Sequence, residues 1–383
     1  MNVVISRPEL VALIGKIQSI VATKPAIPIL ANILIEATSD QLIVSATDLT
    51  VSMRSYVDAK IVQEGSIALP AKRFFQLVRE LTSPQIKITS QNGESAEITA
   101  GQSVFKINGM HHSEFPKLPD LSGGATFGLS AKTLKELLHR TSFCAAKEDS
   151  RYVLNGIYLN IANQNATFIG TDGKRLSKVQ EKIDIDPSTQ GSYILPLKAV
   201  DEMARMLDGT EEQVQISLLP DKASLESPNL ILITKLLAGQ YPDVERVIPE
   251  EPKHTISIHR EELTSLLRQI ALFTSDNMSS VRFIFENSEL VLTACSNDIG
   301  EGKVSMPVDY AAEKLEIAFN PFYFIDILRH SKDDTISFSI NDAYNPGLIT
   351  DTSSAEFVIM PMRLNEAEPQ NAKENAPEKP ALT

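Results

Sequence analysis

Apolar residues recur at helical spacing in three well-separated stretches. "ISRPELVALIGKIQSIV", from Ile5, sets Leu10, Leu13, Ile14, Ile17, Ile20 and Val21 on one helical face. "LSAKTLKELLHRTSFCA", from Leu129, repeats the spacing with Leu134, Leu137, Leu138, Thr141, Cys144 and Ala145. "ISIHREELTSLLRQIALF", from Ile256, does so with Leu263, Leu266, Leu267, Ile270 and Phe273. The i, i+3, i+4, i+7 pattern marks an amphipathic helix each time. A second set lies midway between these: "GSIALPAKRFFQLVREL" from Gly65, "GSYILPLKAVDEMARML" from Gly191 and "LEIAFNPFYFIDILRH" from Leu315. Pro70, Pro196 and Pro321 stand 126 and 125 residues apart. Each follows a short β-like run and is expected at the first helical position, where fixed φ and a missing N–H cost little. Helices are therefore predicted over 7–24, 71–82, 131–147, 197–208, 259–273 and 321–332. Between them, alternating segments such as "SAEITAGQSVFKING", "QVQISL" and "ELVLTA" predict antiparallel strands.

Two registers kept over so long a period imply three copies of one unit, each of two helix-plus-strands halves. The fold class expected is α+β, with three repeated domains, each of two helices packed on antiparallel sheets. The Pro-rich turns "EFPKLPDLSGG" and "VIPEEPKH" place the breaks. Domains are expected over 1–121, 122–251 and 252–364, with a tail at 365–383 whose polar composition predicts disorder. The chain has 383 residues, 43 % of them hydrophobic, enough for several cores. No run of about 18 apolar residues is present, so no membrane segment is expected. The start, "MNVVISRPEL", lacks the layout of a signal peptide. Cys144 and Cys295 are distant in sequence, which points to a reducing, cytoplasmic setting.

The formal net charge is −13, which by itself argues against nucleic acid as a ligand. The distribution changes that reading. The six predicted helices hold 16 Lys or Arg against 9 Asp or Glu, while the remainder holds 20 against 40. Lys132, Lys135, Arg140 and Lys147 fall opposite the apolar stripe of their helix, and Lys72 and Arg79 recur as Lys198 and Arg205. If the repeats close into a ring with helices inward, basic faces line a hole. Such a bore attracts phosphates without reading bases.

Candidate chemistry is sparse. No GxxxxGK[ST], GxSxG, HExxH or CxxC pattern occurs. "GTDGKRLS" (170–177) has a single turn glycine between strand-like runs and is expected to be a hairpin turn, not a phosphate loop. His111 and His112 are adjacent and lack a third metal ligand at useful spacing. No cofactor and no catalytic residue are expected. This favours a binding or structural role over an enzyme built on the "TDGK" turn.

The chain resembles the bacterial DNA polymerase III β subunit, the sliding-clamp family. The resemblance runs from residue 1 to about 364 and rests on "KPAIPILANILIEA", "RYVLNGIYL", "TDGKRL", "YPDVERVIP", "FNPFYF" and "MPMRL", in that order. It implies a DNA clamp fold that dimerises head to tail into a six-domain ring around double-stranded DNA. The ring tethers the replicative polymerase catalytic subunit, performs no reaction, and is loaded by a clamp-loader ATPase. Repair and translesion polymerases are further implied partners. The alternative is a protein-interaction scaffold that no longer encircles DNA.

The resemblance also implies a partner-peptide pocket between the second and third domains. Its residues here would be Leu154, Thr171, Gly173, Lys174, Arg175 and Leu176, then Pro242, Arg246 and Val247. Asn320, Tyr323, Val358, Met360, Pro361, Met362 and Arg363 would complete it. Met278 stands where the family often has an aromatic, and Tyr344 and Pro346 occupy the rim loop. Methionines suit such a groove because they repack at little cost. Phe105 and Ile107 on a first-domain edge strand would form the dimer interface with Leu272 and Phe273. Lys72 and Arg73 would face Asp298 and Glu301 across it, although Gln102 and Val104 stand where relatives carry basic residues. The implied DNA contacts are Lys24, Arg73, Lys147, Arg151, Tyr152 and Lys198.

Overall fold

The computed structural model describes residues 1–22, 25–119, 121, 123–209, 212–275 and 279–363. Lys24, Met278 and the tail at 365–383, all singled out above, lie outside the described residues. The described chain forms two compact units. One comprises 1–248, 329–333 and 348–358, and the other the remaining residues from 249 onward.

All six helices form, each shorter than the pattern suggests: α1 (Arg7–Ile17), α2 (Ala71–Glu80), α3 (Ala131–Ser142), α4 (Leu197–Met206), α5 (Arg260–Ala271) and α6 (Pro321–His330). Three begin on side-chain caps. Ser6 Oγ accepts from Glu9 N, Ser130 Oγ from Thr133 N and His259 Nδ1 from Glu262 N, which satisfies amide donors that the first turn leaves open. Pro321 opens α6 as expected, but Pro70 and Pro196 stand one place earlier, as the N-cap residues of α2 and α4. Each is still the last residue of its strand, so it ends the ladder and starts the helix. α1 stops at Ile17 and continues as turns, yet Ile20 remains fully buried.

The first unit holds a five-stranded antiparallel sheet in the order Lys60–Gln63, Asn2–Ser6, Gln85–Thr89, Ser95–Ala100, Ser103–Asn108. A second sheet runs Ala125–Ser130, Gln213–Leu218, Lys222–Ser227, Leu230–Lys235, Val51–Asp58, Gln41–Thr47, Asn32–Thr38, Gly65–Pro70. It crosses the first repeat boundary through the pairing of Leu232 with Met53. A third contains Gly191–Pro196, Gly156–Ala162, Asn165–Thr171 and Arg175–Lys182. Helices α1 and α2 pack together, as do α3 and α4. In the second unit, Gly300–Pro307, Glu289–Ser296, Val281–Glu286 and Leu315–Phe319 form one sheet, and His254–His259 pairs with Thr335–Ile340. Its core is an aromatic cluster of Phe283, Phe319, Phe324 and Phe338, with ring centroids 5.2–5.9 Å apart.

The repeat survives at the level of single hydrogen bonds. Met110 N donates to Ala68 O at 2.8 Å, Leu237 N to Ile194 O at 2.9 Å and Met362 N to Ala318 O at 2.7 Å. Each closes its copy against the strand that leads into the second helix of that copy. The hairpin turns repeat as well. In "TDLT", Thr50 N and Val51 N donate to Asp48 Oδ1. In "TDGK", Lys174 N and Arg175 N donate to Asp172 Oδ1. Gly173 sits at φ +82° and Leu49 at φ +74°. Glycine takes that conformation freely, whereas leucine holds it only because the surrounding turn is over-determined.

Arg140 corrects the charge pattern read from the sequence. It does not stand on the polar face of α3 but is 2 % exposed. Its guanidinium pairs with Asp351 and donates to Ser353 Oγ at 2.5 Å and His330 O at 3.0 Å. Periodicity placed a long basic side chain with the exposed lysines; the buried carboxylate that draws it inward is more than 200 residues away in the chain.

Candidate functional site

The apolar heart of the candidate pocket lies in the first unit. Leu154 is the last residue of a short 3-10 turn at Tyr152–Leu154, and Leu176 is the second residue of the strand Arg175–Lys182 after the "TDGK" turn. Both are buried in one cluster with Ile169, Ile194, Tyr241, Val244 and Val358, and Val247 packs against it half-buried. Thr171 is buried as well; its Oγ1 donates to Arg175 O at 2.6 Å and accepts from Gly173 N at 3.0 Å, which locks the turn. Glycine suits the left-handed backbone at Gly173, and a β-carbon there would lie 3.1 Å from the Arg151 guanidinium, which would have to shift. The sequence expectation of a hairpin turn holds.

Charged groups ring this cluster. Arg175 Nε bonds Asp172 Oδ2 at 3.2 Å, Nη2 donates to Phe143 O at 3.0 Å, and the guanidinium lies 5.5 Å from the Phe143 ring centroid. Arg151 grips Asp149 through two nitrogens at 3.0 and 2.8 Å, and this pairing draws the Asp149 carboxyl down to about 2. Pro242 and Arg246 are exposed, with Arg246 Nε 2.7 Å from Asp243. Lys174 is exposed on the turn. Tyr241 is the residue that sequence reading missed: it is buried, and its ring stacks on Tyr158 with centroids 4.9 Å apart. Burial pushes its phenol up. The motif "YPDVERVIP" contained it, but its apolar partners come from distant strands.

Other expected pocket residues belong to the second unit. Asn320 Oδ1 accepts from Phe322 N at 2.9 Å just before α6, and Tyr323 is half-buried on that helix. Tyr344 is 88 % exposed beside half-buried Pro346, in a turn built on Asp342, which accepts from Tyr344 N and Asn345 N. Met360 and Arg363 are exposed, Pro361 is half-buried, and Met362 pairs with Ala318. "VIMPMRL" is therefore strand through Ile359 and leaves the strand at Met360 and Pro361, of which Met360 is exposed.

Among the residues expected at DNA, Arg73, Lys147, Arg151 and Tyr152 are exposed. Lys147 lies beyond the end of α3, not on it. Lys198 is exposed but its ammonium pairs with Asp48. Burial would push Asp48 up; Lys198 and the N–H groups of Val51 and Thr50 together hold it below the ordinary carboxylate range. Lys72, Lys132 and Lys147 are exposed and make no ion pair among the described residues.

Each unit also presents an open sheet edge. In the first, Ser103–Asn108 is an outer strand on which Val104 is 59 % and Phe105 38 % exposed. Ile107, expected at the same interface, is already buried against its own sheet. In the second, Gly300–Pro307 is outermost, and Leu272 is 72 % exposed just after α5. Phe273 is half-buried against Gly302, where a β-carbon would come within 2.8 Å of its ring. Asp298 and Glu301 are exposed.

Three sequence profiles match in tandem: the N-terminal domain of the DNA polymerase III beta subunit at residues 1–119, the central domain at 128–243 and the C-terminal domain at 245–363. The chain belongs to the DNA polymerase III beta subunit family. A beta sliding clamp of Chlamydia pneumoniae is 51 % identical over 366 residues, covering 96 % of this chain and 100 % of the relative. That of Proteus mirabilis is 30 % identical, covering 95 % of this chain and all of the relative. The crystal structure of the DNA polymerase III subunit beta from Pseudomonas aeruginosa matches with a TM-score of 0.92 at 26 % identity, over 95 % of this chain and 100 % of that one. The family's three-domain α+β clamp fold is the fold of this chain. No described helix is long and apolar enough to cross a membrane.

Proposed function

We propose that this chain is a DNA sliding clamp, a non-catalytic ring of two copies that encircles double-stranded DNA and tethers the replicative polymerase. Membership of the beta-subunit family over nearly the whole chain carries the reading. The grip is topological, so contacts to the backbone can stay weak and independent of sequence. Exposed, unpaired lysines on an otherwise acidic chain supply those contacts, and the acidic remainder discourages DNA from sticking elsewhere. The two open strand edges are of the kind that one copy offers to the next. A head-to-tail contact of Phe105 with the partner copy's exposed apolar edge closes a ring when the rotation per copy permits it. Opening that contact is the task of a clamp-loader ATPase. We place the protein with its DNA in the cytoplasm, and assign its three copies to 1–121, 122–251 and 252–364.

The partner peptide docks in the cup of Leu154, Leu176, Val247 and Val358. An apolar anchor set over a few polar groups gives modest affinity for many linear segments, including those of the clamp loader and of repair and translesion polymerases. Neutralising Lys72, Lys132 and Lys147 together with glutamine tests the DNA assignment. Equilibrium binding to short linear DNA, which encirclement cannot hold, should weaken, and its salt dependence should flatten by about 0.9 in the log–log slope for each phosphate that is no longer neutralised. Binding to that linear DNA unchanged at low salt contradicts the assignment.

A further inference from the structure

Beside the peptide cup, on the same face of the third sheet, runs a polar groove. In the third sheet, the face toward α3 is fixed by two observations. A β-carbon on Gly170 would lie 2.2 Å from Thr141 O, and Ser177 Oγ donates to Arg140 O at 2.5 Å. Alternation then sends Tyr158, Asn160, Thr167, Ile169, Lys178 and Gln180 to the opposite face. There they line a groove of about 650 Å³, walled on one side by residues 239–245.

The register sorts this face into two cross-strand rows. One reads Ile194, Tyr158, Ile169, Lys178 and lies against the wall, where Tyr158 stacks on Tyr241. The other reads Ser192, Asn160, Thr167, Gln180 and consists wholly of hydroxyls and amides. The charges near the groove are engaged with one another: Lys178 bridges Glu245 at 2.9 Å and Glu356 at 3.3 Å, and Asp243 pairs with Arg246. What the second row offers a ligand is neutral hydrogen bonding. Strands about 4.8 Å apart make the row roughly 14 Å long, the length of about four residues of extended peptide.

The wall joins this groove to the peptide cup. Tyr241 and Val244 line the groove and belong to the apolar cluster that holds Leu154, Leu176 and Val358. We infer that the groove is an exosite for the extended, uncharged polar residues that flank a partner's anchor segment, so that it adds affinity to the anchor and selects among partners by their flanks. This rests on the peptide-cup reading above.

Fluorescence anisotropy with two peptides tests it on the full-length protein. The short probe is the minimal segment of the cognate polymerase catalytic subunit that still binds; the long probe carries eight further native residues on each side. The long probe is expected to bind about tenfold tighter, and this advantage should change little between low and high salt because the row is neutral. Asn160→Ala with Gln180→Ala should remove the advantage while the short probe binds as before, which also reports an intact fold. A long probe no tighter than the short one, or an advantage that survives the double substitution, overturns the exosite. Failure of the cup reading is separately visible as a Val247→Asp protein that binds the short probe like the wild type.

Discussion

Replacing Arg140 with methionine lowers the melting temperature by about 10 °C. The guanidinium and the Asp351 carboxylate are 3 % and 0 % exposed as side chains, and they bond each other directly. Methionine keeps most of the volume but leaves a buried carboxylate without its cation. Breaking one partner of a buried pair costs about 3–5 kcal/mol, because the remaining charge has neither solvent nor counter-ion. For a unit of this size each kcal/mol is worth roughly 2–4 °C. The double change Arg140→Met with Asp351→Leu should recover much of the loss, since it removes the orphaned charge. The effect also depends on pH. Burial pushes Asp351 up, but the Ser353 hydroxyl, the Lys332 N–H and Arg140 hold it below the ordinary carboxylate range. A group depressed in the folded state stabilises above its unfolded pKa and loses that contribution as pH falls through its folded pKa. The gap between wild type and Arg140→Met should therefore be full near pH 7 and shrink below about pH 4. Calorimetry across that range checks both statements.

Val247→Asp abolishes partner binding while the fold remains. Val247 packs half-buried at the edge of the cluster around Leu154, Leu176 and Val358, so an aspartate there can reach water in the free protein. A docked apolar anchor would cover that carboxylate. Burying one large apolar side chain contributes about 1.5–3 kcal/mol, and its loss alone weakens binding by roughly ten- to a hundredfold. Desolvating the new charge adds to this. Peptide titration and processive synthesis should both fail, with the melting temperature nearly unchanged.

Both results bear on what the sequence makes legible. The six helices and the three-part repeat were readable because the apolar stripes are local and recur at one period. The same holds for the "TDGK" turn, whose glycine and Asp172 determine it within four residues. Arg140 was misplaced because its partners, His330, Asp351 and Ser353, come from a distant part of the chain. Tyr241 escaped notice for the same reason: a tyrosine in a loop reads as exposed until strands far in sequence close over it. The "TDLT" turn was recoverable by comparing the repeats, since Thr47 and Asp48 stand where Thr171 and Asp172 do. Its leucine in place of glycine hid it. The polar row on the outer sheet face follows from strand register, which alternation alone does not fix.

The central claim is that a closed ring holds DNA by encirclement. The direct measurement is retention of the loaded protein on nicked circular DNA compared with the same DNA made linear, in one buffer at moderate salt. A closed ring predicts that protein stays on the circle through gel filtration and runs off once the circle is cut. Equal retention on both forms, or on neither, contradicts it.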